Sequence, residues 1–110
     1  MTSLTEKHEH LQQTVAELER LIGAGAFAVV DLWEGDPLAV GLASPNDARV
    51  LAHLVVDPDR PLAFFVELEL PPQGITDIPY TPAGTFEQLT LSAVVELIVS
   101  HLGIAVMVDV

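Results

Sequence analysis

Leu62-Ala63-Phe64-Phe65-Val66-Glu67-Leu68-Glu69-Leu70 is the stretch from which the fold can be read. Its even positions are all apolar, while Ala63, Phe65, Glu67 and Glu69 occupy the odd ones. Side chains on an extended backbone alternate between faces, so this pattern predicts a half-exposed strand with Leu62, Phe64, Val66, Leu68 and Leu70 in the core. Glu67 and Glu69 then stand on a solvated face, ~7 Å apart by strand rise. Just upstream, Asp57-Pro58-Asp59-Arg60-Pro61 has the composition of a hairpin turn, which implies a partner strand before it.

That partner is harder to assign. Ser44-Pro45-Asn46-Asp47 suits either a tight turn or a helix start with proline at the first helical position. We read 44–56 as strand because Val50, Val55 and Val56 are β-branched and the segment is short. Further upstream, residues 27–33 follow period two, with Phe27, Val29, Asp31 and Trp33 on one side. Glu34-Gly35-Asp36-Pro37 turns the chain into a second strand from Leu38 to Ala43.

Both ends read as helical. Ser3-Leu4-Thr5-Glu6 has the form of a capping box, and Leu4, His8, Leu11, Val15, Leu18 and Ile22 trace one stripe of an amphipathic helix ended by Gly23 or Gly25. Near the other end, Thr90 caps a helix over 91–102 that Gly103 terminates. Ser92, Glu96 and Ser100 leave it only a narrow polar stripe, so this helix should be nearly buried. Residues 71–84 hold four prolines and two glycines and read as a long loop pinned by Ile75, Ile78 and Tyr80, and 104–108 reads as a short apolar strand. The expected architecture is a single α+β domain over 1–110, an antiparallel meander of four to five strands packed by an N-terminal helix and a buried C-terminal helix.

Composition narrows the function. Four lysines and arginines oppose sixteen acids among 110 residues, a formal charge of −12. Nucleic acid and anionic lipid are bound through cationic side chains that this chain lacks, so neither is an expected partner. A basic protein is favoured instead, although acidity also keeps a chain of mean hydropathy +0.45 soluble. Absence of cysteine excludes disulfides and thiolate chemistry. Neither a signal-peptide pattern nor a spanning apolar run is present, and a cytoplasmic protein is expected.

Catalytic constellations are weak. His8 and His10, two apart on a helix, point in different directions and cannot share a metal as an i, i+4 pair does. Ser44, Ser92 and Ser100 lack a nucleophile elbow. Gly23-Ala24-Gly25 joins helix to strand, the reverse of a phosphate loop. Glu67 and Glu69 are paired acids without an aromatic sugar cleft. His53 and His101 lie on regular elements and read as structural. An enzyme becomes the better reading only if one of them faces a pocket together with a carboxylate and has a shifted pKa. No cofactor or metal is expected.

Topology is more informative than any motif. In a meander, the first and third turns fall at the same end of the sheet, which brings Glu34 and Asp36 near Asp57 and Asp59 with Arg60 as the opposing charge. Trp33 and Tyr80 beside this rim are either rigid anchors for a partner or parts of the core. The expected partner-binding set is therefore Asp31, Trp33, Glu34, Asp36, Asp57, Asp59, Glu67, Glu69 and Tyr80.

The layout resembles a known group. Thr14-Val15-Ala16-Glu17-Leu18-Glu19-Arg20-Leu21-Ile22 ending a helix, the strands over 27–33 and Leu38-Ala39-Val40-Gly41-Leu42, a second hairpin, and Leu89-Thr90-Leu91 leading into a helix that ends at Leu102-Gly103 resemble small α+β immunity proteins of bacterial polymorphic toxin systems. That resemblance implies a non-catalytic toxin inhibitor that covers the active site of a basic toxin domain. It transfers no individual residue. The alternative is an acidic homodimeric chaperone or adaptor for a secreted effector, whose dimer would be visible by light scattering.

Overall fold

The computed structural model describes residues 7–23, 25–30, 36–71 and 81–104. Its elements are helix α1 (Glu9–Ile22), strands β1 (Ala28–Val30), β2 (Ala39–Ala43), β3 (Leu51–Val56), β4 (Phe64–Leu70) and β5 (Thr81–Leu89), and helix α2 (Leu91–Leu102). The strands form one antiparallel sheet in sequential order, β1-β2-β3-β4-β5. The expected α+β meander with one helix at each end of the chain is therefore present.

Alternation decides which face is covered. Val40 and Leu42 from β2, Ala52, Leu54 and Val56 from β3, and Phe64, Val66 and Leu68 from β4 form one core with Leu11, Val15, Leu18 and Ile22 of α1 and Val94, Ile98 and Leu102 of α2. Both helices thus lie on the same face of the sheet. On α2 the exposed residues are Ser92, Glu96 and Ser100, the narrow polar stripe seen in the sequence. Its Thr90 cap accepts from the Ala93 amide at 3.2 Å, and Gly103 terminates it in the left-handed region at φ 66. A Cβ there would be strained, which is why glycine ends this helix.

Four expectations need correction. Helix α1 begins at Glu9, because Lys7 and His8 lie outside it and the His8 ring caps it by accepting from the His10 amide at 3.0 Å. The capping box at 3–6 lies outside the described residues. Neither end of the 62–70 alternation reaches the core: Leu62 is 85% exposed, since the β3–β4 turn extends through Ala63 and the strand starts only at Phe64, and Leu70 is only partly buried. Residues 81–84, read as the end of a loop, belong to β5. This strand contains Pro82 and Gly84 and is exposed along most of its length. An edge strand tolerates proline, whose missing amide costs no ladder bond on the outer side. The segment 44–56, read as strand, is strand only from Leu51 to Val56, and 44–50 form a turn.

Candidate functional site

One end of the molecule gathers the groups of most interest. The Val56 amide donates to the Leu38 carbonyl at 3.0 Å and Ala39 pairs with Val55. The β1–β2 connection, carrying Asp36, is thereby held beside the β3–β4 turn, carrying Asp57 and Asp59. The turn is built from its own acids: the Asp57 carboxylate accepts from the Asp59 amide at 3.0 Å, and its carbonyl accepts from the Arg60 amide at 2.9 Å. Asp36, Asp57 and Asp59 are all exposed. Asp36, Asp57 and Asp59 thus lie at the same end of the sheet, whereas Asp31, Trp33, Glu34 and Tyr80 lie outside the described residues.

The structure adds an acid that sequence reasoning missed. Because Leu89 pairs with Phe64, the last residues of β5 reach this same end. Glu87 lines a depression of about 280 Å³ together with Asp57, Arg60 and Phe65. Its only sequence signal was membership of an unrecognised strand. Two of the four opposing cations are paired with other acids. Arg20 pairs with Glu17 and Arg49 with Asp47, holding both carboxyls below their ordinary range, and buried Lys7 donates from Nζ to the Asp36 carbonyl at 2.7 Å. Lys7 and Arg60 thus stand at this end beside Asp36, Asp57, Asp59 and Glu87, which leaves acids in excess there.

Helix α1, the β3–β4 turn and the start of α2 enclose a groove of about 430 Å³ at this end, on the helical side of the sheet. Leu62, Phe64 and Leu91 supply apolar wall, and His10, Gln13, Thr14 and Glu17 supply the α1 side. The His10 ring stacks on Phe64, with centroids 6.1 Å apart and 28° between planes. Its Nε2 is shielded from solvent and has no hydrogen-bond partner among the described residues.

The opposite sheet face carries a second feature. Register sets His53 between Gly41 and Glu67, and Glu69 is diagonal to it on β4. His53 Nε2 meets the Glu69 carboxylate, with side chains only 11% and 6% exposed. Glu69 is therefore not on a solvated face, which corrects its assignment to the docking set, while Glu67 is half-buried. Burial drives both partners toward neutrality. It lowers His53 to about 4, and burial followed by repulsion from Glu67 raises Glu69. Asp36, His53, Phe65 and Glu67 line a cavity of about 140 Å³. The stated condition for an enzyme reading, a histidine with a carboxylate in a pocket and a shifted pKa, is met here.

The remaining candidates serve structural roles. His101 Nε2 donates to the Glu69 carbonyl at 2.8 Å, and the Ser44 hydroxyl donates to the Leu102 carbonyl at 2.7 Å, tying the end of α2 to the sheet. Among the described residues, no three His, Cys, Asp or Glu side chains cluster in a way that holds a metal ion. No described helix is long and apolar enough to cross a membrane. No family model, curated protein or solved structure matches the chain.

Proposed function

We propose that this protein is a binding module for a basic protein, acting as an immunity protein that covers the active site of a cationic toxin domain. The observation that carries the reading is the convergence of Asp36, Asp57, Asp59 and Glu87 at one end of the sheet, through the Val56–Leu38 hydrogen bond and the Leu89–Phe64 register. A toxin acting on nucleic acid needs a positive cleft, and an acidic rim both steers it inward and matches it once docked. Catalytic machinery is not required of this site.

The test is charge reversal. In Asp57→Lys/Asp59→Lys, association with a basic toxin domain encoded beside this gene should slow on the order of tenfold at low salt and lose most of its salt dependence. Unchanged association and an unchanged salt slope would remove the rim from the binding surface.

A second reading has its own support in the His53–Glu69 contact. The cavity there is about 140 Å³, below the ~300–1,000 Å³ usual for small-molecule sites. The His53 Nε2 that would act as base is occupied by Glu69. Both facts favour a structural pair over a catalytic one. Hydrolysis of a generic ester or phosphate substrate that disappeared in His53→Gln, with folding intact, would reverse that preference.

A further inference from the structure

The acidic turn and the apolar groove are parts of one surface. Asp57 and Asp59 are followed directly by Arg60, Pro61 and Leu62, and Leu62 forms a wall of the groove with Phe64 and Leu91. We infer that the groove receives one large apolar side chain of the basic partner, an aromatic or leucine flanked on both sides by arginine or lysine. This inference rests on the binding reading above and specifies the chemistry of its anchor.

Three observations lead to it. At 85% exposure Leu62 is the most exposed large apolar side chain among the described residues, and it follows Asp57, Asp59 and Arg60 in a turn where acids outnumber cations. An apolar centre bounded by charged residues is the arrangement in which a few anchors dominate binding while the rim excludes water. The groove, at about 430 Å³, falls in the ~300–1,000 Å³ range that encloses a compact ligand, so one aromatic side chain fits with room for its neighbours.

Charge chooses between occupants. A second copy of this chain would bring its own Asp57 and Asp59 against those of the first, like charges facing like across the rim of a pocket. A partner with cations on both sides of its anchor replaces that repulsion with attraction.

The experiment is an amide-resolved NMR titration of the full chain with a peptide bearing one tryptophan flanked on each side by two arginines. A control peptide has alanine in place of the tryptophan. The tryptophan peptide should bind at least about tenfold tighter, with shifts centred on Leu62, Thr90 and His10. Two variants change exposed positions and so leave the fold intact: Leu62→Ala removes a wall, and Gln13→Trp fills the groove from α1. Both should abolish the tryptophan preference while the salt-dependent arginine component persists. Equal binding of the two peptides, weakened by Asp57→Asn/Asp59→Asn, overturns the groove assignment and leaves the acidic rim standing. Salt-independent binding of both peptides overturns the rim reading as well. A concentration-dependent dimer in light scattering that Leu62→Ala dissolves would give the groove to a second copy and equally overturn the inference.

Discussion

Removing the imidazole in His53→Gln should change how stability depends on pH, and the sign of that change reports the charge state of the buried pair. Burial lowers His53 to about 4 in the folded protein, against ~6.5 in an unfolded chain. Between these values the unfolded state binds the extra proton, so stability is fully present above pH ~6.5 and is lost as pH falls toward the folded value. Each pH unit in this window is worth ~1.36 kcal/mol. At pH ~5 the wild type should therefore have lost about 2 kcal/mol relative to the variant, taking pH ~7.5 as the common reference. Subtracting the variant's profile removes the other acids. Glu69 is present in both proteins but touches His53, so the difference reports the titration of the pair and not of His53 alone. Urea unfolding by intrinsic fluorescence at matched ionic strength measures the difference, with equal m-values confirming that the same transition is compared. Parallel profiles would mean that His53 is not desolvated. A wild type that gains on the variant as pH falls would mean that His53 and Glu69 form a charged ion pair, which refutes the neutral arrangement.

Other outcomes follow from the same contacts. Glu69→Gln should gain stability relative to wild type as pH rises above the ordinary carboxylate range, the opposite sign to His53, because a raised folded pKa favours the protonated acid; urea midpoints from acid to neutral pH show this. Ser44→Ala leaves the Leu102 carbonyl without its buried donor and should cost ~1–3 kcal/mol in chemical unfolding. Gly103→Ala places a Cβ on a backbone at φ 66 and should cost ~1 kcal/mol, read as a lower thermal midpoint with unchanged far-ultraviolet circular dichroism.

Legibility followed burial. Strand β4 was visible because its even positions from 64 to 68 enter the core, and α2 because a threonine cap, an apolar surface and a left-handed glycine agree. Strand β5 was invisible for the converse reason. Its Thr-Pro-Ala-Gly-Thr-Phe-Glu-Gln-Leu run lies largely in solvent, so neither face was under pressure to be apolar and its proline and glycine read as loop. Leu62 misled in the other direction. Its place in the alternation was right, but a turn that extends through residue 63 lifts it out of the sheet.

The candidate site divides along the same line. Amino-acid order by itself determined the charge, the Thr90-capped α2, the meander and hence the placing of Asp36 at the same end as Asp57 and Asp59, because an antiparallel meander allows no other placement of alternate turns. Only the tertiary structure decided that Glu69 turns inward to His53, that Glu87 joins the rim, and that Leu62 opens a groove beside it. Those contacts join residues far apart in the chain through strand register and the packing of both helices on one face, and local periodicity carries no information about either.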